Sequence, residues 1–193
     1  MSRKAVVEQR RVLLDGFFHV EDVDVSFEKR DGTMSAPVRR LSLKRALAAA
    51  LLLDNKAKGT VVLVRQFRYS TLADGTGWLT EVVAGLIDAG ETAEQAIRRE
   101  AVEEAGYDVG RLEPITTVFT TPGICSERIA LFYGETASAA PTHAGVGLAE
   151  EGEDIEVLEI PYAEAFAMID RGEIVDGKTL IALLWLKNKQ SAR

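Results

Sequence analysis

The stretch "GETAEQAIRREAVEEAG", residues 90–106, predicts a single helix that carries a cluster of glutamates. Thr92 followed by Gln95 is typical of a capping box at the start of a helix. Gly106 is placed to end the helix in the left-handed conformation that glycine adopts without strain. The pattern therefore predicts a helix over Ala93–Ala105.

Three glutamates of this helix share one face. At about 100° per residue, Glu104 lies ~40° to one side of Glu100 and Glu103 lies ~60° to the other side. Like charges this close destabilise a helix, so either water screens them or a cation lies there. Two interpretations stay open: a solvated face paired with nearby arginines, or oxygen ligands for Mg²⁺ or Mn²⁺. The apolar side predicted to pack on a sheet consists of Ala96, Ile97, Ala101, Val102 and Ala105.

The periodicity of the rest of the chain predicts a mixed α/β (α+β) fold. Alternating apolar and polar residues over 18–44, with a turn at "RDG", predict a small antiparallel β appendage, which we assign to residues 1–45. The main domain is then 46–193. Its predicted strands are "ALAAALLLD", "TVVLVRQF", "WLTEVVAG", "PITTVFT", "RIALFYGE" and "DIEVLEI", and two helices, "YAEAFAMIDRG" and "KTLIALLWLKNK", complete the chain.

Composition excludes several classes of function. The 193 residues are 47% hydrophobic and carry a net charge of −7, which disfavours nucleic-acid and anionic-membrane partners. No apolar run is long enough to span a bilayer, and the first residues lack the apolar core of a secretory signal. With the single cysteine Cys125 there is no internal disulfide, so we expect a cytoplasmic protein.

The spacing around the helix identifies a known motif. Gly85, five residues, Glu91, seven residues, Arg99-Glu100, two residues, Glu103-Glu104, one residue and Gly106 together resemble the Nudix box. The resemblance implies an αβα sandwich with a mixed sheet, and hydrolysis of a nucleoside diphosphate linked to another group. Within the family, "TTPGICSER" around Pro122 is similar to ADP-ribose pyrophosphatases, and "GLAEEGEDIEVLEIPYAEAFAMIDRGEIVDGKT" is similar to GDP-mannose pyrophosphatases.

These resemblances leave several functions open. Cleavage of ADP-ribose to AMP and ribose 5-phosphate stands slightly ahead, with GDP-mannose cleavage to GMP and mannose 1-phosphate as the alternative. A non-catalytic module that binds a nucleotide sugar is the alternative from another class. A hydrolase of oxidised nucleoside triphosphates has the box but does not need Pro122 or the N-terminal strands.

The resemblance also implies roles for individual residues. It places two or three Mg²⁺ ions, with Mn²⁺ as a substitute, on Glu100, Glu104, Glu153 and the carbonyl of Ala84. It makes Glu151 the general base and Glu103 a further catalytic or ligand carboxylate, while Glu91 and Arg99 orient the glutamates. The implied substrate-binding residues are Phe17, Arg39, Arg68, Leu86, Glu127 and Lys178. In dimeric relatives, residues matching Phe17 and Arg39 come from the partner, so we expect a homodimer, with the N-terminal strands as the candidate exchanged element.

Overall fold

The computed structural model describes residues 3–144, 147 and 154–191. The chain forms two compact units. The first consists of Met1–Ala46 with Phe119–Arg128, and the second of Leu47–Val118 with Ile129–Arg193. The first unit is therefore discontinuous in sequence, because it takes a segment from the middle of the chain.

A three-stranded antiparallel sheet forms the first unit. Its strands are β1 (Ala5–Asp15), β2 (His19–Phe27) and β3 (Val38–Lys44), in the order β1-β2-β3. The predicted turn is confirmed: Gly32 has a φ of 81°, and the Lys29 N–H donates to the Thr33 carbonyl at 2.8 Å. The middle segment joins this sheet through Leu43, whose N–H donates to the Ile124 carbonyl at 2.8 Å and whose carbonyl accepts from the Ser126 N–H at 2.9 Å.

The strand β1 is absent from the sequence prediction, and its apolar residues explain why. Val6 and Val7 are adjacent, as are Leu13 and Leu14, so the apolar side chains do not alternate. The pairing of β1 with β2 is also irregular, with register shifts between Val7 and Gln9 and between Val12 and Leu14. At a β-bulge, two successive residues of one strand lie opposite one residue of its partner, so the alternation between the two faces is interrupted. A strand prediction based on strict alternation of apolar and polar residues therefore misses such a strand.

The second unit is built on a sheet of seven strands. The order is β10-β5-β4-β9-β8, while β6 pairs with β5 and β7 pairs with β4. "WLTEVVAG" is not one strand, as predicted, but two, separated at Val82, whose N–H donates to the Thr179 hydroxyl at 2.8 Å. The strands are β4 (Leu47–Asn55), β5 (Thr60–Phe67), β6 (Trp78–Glu81), β7 (Val83–Leu86), β8 (Val109–Phe119), β9 (Arg128–Thr136) and β10 (Glu156–Pro161).

Helices cover both faces of the large sheet. They are α1 (Ala93–Ala105), α2 (Tyr162–Asp170) and α3 (Gly177–Ser191). Successive residues of β4 enter two different buried clusters, because side chains of a strand alternate between faces. One cluster includes Ile97 of α1, and the other includes Ala165 of α2 and Leu183 of α3. This arrangement confirms the predicted αβα sandwich with a mixed sheet and a small antiparallel appendage. Across the described ranges, no helix is long and apolar enough to cross a membrane.

Candidate active site

The glutamate-bearing helix α1 has the predicted ends. The Thr92 hydroxyl accepts from the Gln95 N–H at 3.2 Å, and the Gln95 side chain accepts from the Thr92 N–H at 2.8 Å, so the capping box is formed. Gly106 has a φ of 75° and closes the last turn with its N–H bonded to the Val102 carbonyl at 3.1 Å. The caps fix both ends of the helix, and the buried residues Ala96, Ile97 and Ala101 hold it on the sheet.

Glu104 lies at the bottom of the site, against β7. Only 3% of the residue is exposed, and its carboxylate accepts a hydrogen bond from the Ala84 N–H at 3.1 Å. A buried carboxylate is costly without such partners. The contact brings two of the predicted metal-binding residues, Glu104 and Ala84, together.

Gly85 provides the space that Glu100 occupies. A Cβ at position 85 would lie 1.8 Å from Oε1 of Glu100 and 2.1 Å from its Cδ, so no other residue fits while Glu100 keeps its place. Gly90, a second glycine close to Gly85 in the sequence, has open space around it and a φ of 85° instead. The first glycine is therefore required for space and the second for backbone conformation.

Arg99 connects the carboxylates around it. Its Nη1 donates to Glu100 at 2.8 Å and to Glu103 at 2.9 Å, and its Nε and Nη2 donate to the two oxygens of Glu91 at 3.3 and 3.2 Å. Its Nη2 also reaches the Leu86 carbonyl at 3.2 Å. The hydrogen bond from Arg99 lowers the pKa of Glu91, and the same bond, with those to Glu100 and Glu103, raises the pKa of Arg99. One guanidinium thus fixes three glutamates of the motif.

These groups surround a cavity of about 270 Å³. Both carboxylates and arginines contribute to its polar surface. Asp88 is a member that the sequence analysis missed, although it is an acidic residue between Gly85 and Gly90. The lining residues are Arg68, Ala84, Gly85, Leu86, Asp88, Arg99, Glu100 and Glu104.

Two of the predicted substrate residues, Arg68 and Lys178, meet at one carboxylate. Glu81, at the end of β6, accepts from Nε of Arg68 at 2.8 Å and from Nζ of Lys178 at 2.5 Å. Lys178 also lies 3.1 Å from Asp176. The sequence analysis missed Glu81; the available signal was an acidic residue inside the apolar run "WLTEVVAG".

The remaining described candidates belong to the first unit. Phe17 is 86% exposed and stacks edge-on with Phe18 at 4.8 Å between ring centroids. Arg39 donates from Nε to Asp22 at 2.9 Å, and Glu127 accepts from the Thr120 hydroxyl at 3.0 Å. The substrate roles of Phe17, Arg39 and Glu127 stay predictions. Glu151 and Glu153 lie outside the described residues.

The donors at the cavity suit a hard divalent cation. Carboxylate and carbonyl oxygens on rigid elements are the ligands that Mg²⁺ takes. Two of the carboxylates that line the cavity, Glu100 and Glu104, are predicted metal ligands, and the space beside Gly85 holds Glu100 next to the backbone. Among the described residues, no three acidic, histidine or cysteine side chains are grouped to hold an ion. The predicted set gains its third carboxylate from Glu153, which is outside that part of the chain.

Comparison with known proteins agrees with this geometry. The NUDIX domain family model matches residues 43–183. A GDP-mannose pyrophosphatase of Citrobacter koseri is 40% identical over 188 residues, covering 96% of each chain. A GDP-mannose pyrophosphatase of Escherichia coli O1:K1 is 38% identical over 189 residues, covering 97% of each chain.

A solved structure described as an ADP compounds hydrolase shares the fold. Its TM-score is 0.75 with 18% sequence identity, and the match covers 98% of this chain and 95% of that one. The seven fixed positions of the motif, the sandwich that carries it and the family match together lead to one assignment. The chain belongs to the NUDIX family of hydrolases.

Proposed function

We propose that this protein is a metal-dependent pyrophosphohydrolase that cleaves the diphosphate of a nucleoside diphosphate sugar. The observation that carries the proposal is the cavity that Glu100 and Glu104 line together with Arg68, and in which Gly85 leaves the space that Glu100 occupies. Oxygen ligands for cations and a guanidinium for phosphate are the two chemistries that a diphosphate substrate needs.

The names of the relatives order the substrates. GDP-mannose is the first candidate, because relatives that span nearly the whole chain are GDP-mannose pyrophosphatases. ADP-ribose, which the sequence alone places slightly ahead, is the second candidate. The structure described as an ADP compounds hydrolase supports the fold alone at its 18% identity.

Each part of the site has a proposed task in the reaction. Glu100, Glu104, Glu153 and the Ala84 carbonyl would hold two or three Mg²⁺ ions, or Mn²⁺ in their place. Bound divalent ions neutralise the diphosphate and lower the pKa of a water molecule. Arg99 keeps Glu100 and Glu103 oriented through its fixed hydrogen bonds.

The chemical step is hydrolysis of a phosphoanhydride. Water attacks one phosphorus, the bridging P–O bond breaks, and the two products are a nucleoside monophosphate and a sugar phosphate. Glu151 takes the proton of the attacking water, with Glu103 as the other carboxylate assigned a catalytic role. Arg68 and Leu86 bind the substrate at the cavity, and Phe17, Arg39, Glu127 and Lys178 complete the proposed set.

Hydrolysis assays test this function directly. We expect phosphate-coupled turnover of GDP-mannose or ADP-ribose with Mg²⁺, and none of a nucleoside triphosphate. Glu104→Gln should lower the rate at least about 100-fold, because a buried metal-binding carboxylate becomes a neutral amide. Glu94→Gln, on the exposed first turn of the same helix, is the matched control and should keep the rate.

The alternatives give different results in the same assay. Turnover of the triphosphate alone would assign the protein to the hydrolases of oxidised nucleotides. If every substrate stays intact while one of them raises the Tm, the protein is a binding module and the proposed activity is wrong.

We also propose that the protein is a cytoplasmic homodimer, in which the 1–45 appendage makes the contact and residues 46–193 carry the chemistry. Apolar side chains of β1, including Val6, Val12 and Leu13, are each about half exposed in the single chain. A large exposed apolar surface is typical of an interaction site. Light scattering at micromolar concentration checks this; a monomer there would remove the proposal.

A further inference from the structure

Glu81 is a buried carboxylate that binds two cations. Its residue is 3% exposed, and it accepts from Nε of Arg68 at 2.8 Å and from Nζ of Lys178 at 2.5 Å. Burial makes such a carboxylate costly unless it is paired and hydrogen-bonded, and here each oxygen has one charged donor. The pair of bonds therefore fixes both Arg68 and Lys178.

The bond from Arg68 decides how the guanidinium faces the cavity. Arg68 lines the cavity, and 41% of its side chain is exposed. Because Nε is bonded to Glu81, the guanidinium plane is set, and no described residue accepts from its two terminal nitrogens. Two adjacent N–H groups in a fixed plane match two oxygens of a phosphate.

The opposite side of Glu81 is supported by the start of α3. The side chain of Lys178 is 10% exposed, and its Nζ lies 3.1 Å from Oδ2 of Asp176. Asp176 accepts from the Thr179 hydroxyl at 2.6 Å, and that hydroxyl accepts from the Val82 N–H at 2.8 Å. Val82 is the residue after Glu81, so the network closes on itself. This closed network leaves Glu81 little freedom to move.

We propose that Glu81 is a positioning residue, which presents Arg68 to the diphosphate of the substrate, with Lys178 and Asp176 holding Glu81 in place. The inference rests on the proposed function, since a diphosphate is the ligand that it assigns to Arg68. Glu81 itself does not line the cavity among the residues described for it, so its effect passes through Arg68.

A double-mutant cycle tests the coupling. Glu81→Gln keeps the shape and removes the charge that orients Arg68. We expect it to weaken GDP-mannose binding about 10-fold in the wild-type background, within the range for residues of one network. In an Arg68→Ala background its effect should be much smaller, because only the contact with Lys178 is then changed. The Kd is measured by calorimetry with EDTA present, which prevents metal-dependent turnover. KM and kcat are measured with Mg²⁺, and KM should change more than kcat.

Glu159→Gln is the matched control. Glu159 is another carboxylate of the second unit that accepts from several groups, at 2.7 Å from Lys58 and 2.9 Å from Thr60. Its loss should lower the Tm and leave the Kd unchanged. The proposal is overturned if Glu81→Gln weakens binding equally with and without Arg68, if Glu159→Gln weakens binding as much, or if the wild type binds neither GDP-mannose nor ADP-ribose. Failure of wild-type turnover with the coupling intact would instead overturn the proposed function alone.

Discussion

Gly85 and Gly90 lie five residues apart before α1, but a side chain at each position has a different cost. Gly85→Ala should displace the Glu100 carboxylate, since the new Cβ would lie 1.8 Å from Oε1. The backbone at Gly85 is not strained for alanine, and the atom in the way is the end of a flexible side chain. We expect about 10-fold or greater loss of rate with little change in Tm, measured by Mg²⁺ titration and thermal unfolding.

Gly90→Ala is the reciprocal control. Nothing lies within 4 Å of a Cβ there, but the φ of 85° is unfavourable for alanine. The expected cost is about 1–2 kcal/mol of stability, with the rate retained. Equal losses of rate in the two variants would show that Gly85 does not act through Glu100.

The guanidinium of Arg99 orients three glutamates of the motif at once. Arg99→Lys keeps one positive charge but loses the planar set of donors that reaches Glu91, Glu100 and Glu103 together. We expect the Mg²⁺ concentration for half-maximal rate to rise about 10- to 100-fold, as for other residues that orient metal-binding groups. Arg98→Lys, whose guanidinium binds backbone carbonyls at Val109 and Gly110, is the control. An unchanged Mg²⁺ dependence in Arg99→Lys would contradict this role.

The stability of α1 depends on the cap at its start. Thr92→Ala removes the hydroxyl that accepts from Gln95 N–H at 3.2 Å. The loss should cost about 1 kcal/mol, which lowers the Tm by about 2–4 °C for a chain of this length. Thermal unfolding measures it, and the rate at low temperature should persist because the glutamates are on later turns. A Tm equal to that of the wild type would mean that tertiary packing alone sets this end.

Most elements followed from local pattern, and the exceptions have physical causes. The bounds of α1 were predictable because caps are read within a few residues. The division of "WLTEVVAG" was not, since it depends on a hydrogen bond from Val82 to Thr179, 97 positions away. The role of Glu81 was hidden for the same reason: its partner Lys178 is also 97 positions away. The motif glutamates were predictable because they lie within a few residues of one another in the sequence, whereas the contacts of Glu81 join positions that are far apart in it.

For the whole molecule, acid should weaken folding through Asp22. Hydrogen bonds from Arg39 and then Arg11 lower its pKa from 3.8 to about 2. A carboxylate with a lowered pKa stabilises the fold above its unfolded pKa, and this contribution is lost as the pH falls through the folded value. Stability should therefore fall between about pH 4 and pH 2, measured as the Tm over that range.

The variant Asp22→Asn should have a lower Tm at neutral pH and a flatter dependence over the same window. Asp74→Asn, a change at an exposed aspartate of the second unit, should leave the curve unchanged. A wild-type slope that survives in Asp22→Asn would assign the acid sensitivity to other carboxylates.

The discontinuous first unit has a consequence for recombining this protein with its relatives. The residues after β8 are bonded to β3 through Leu43, Ile124 and Ser126, although they are remote in the gene. A chimera that receives only the N-terminal strands of another family member lacks the segment, between β8 and β9, that is matched to those strands. Grafting this appendage successfully requires three crossovers, one after Ala46 and one at each end of Phe119–Arg128, so that this segment is transferred with the strands it completes.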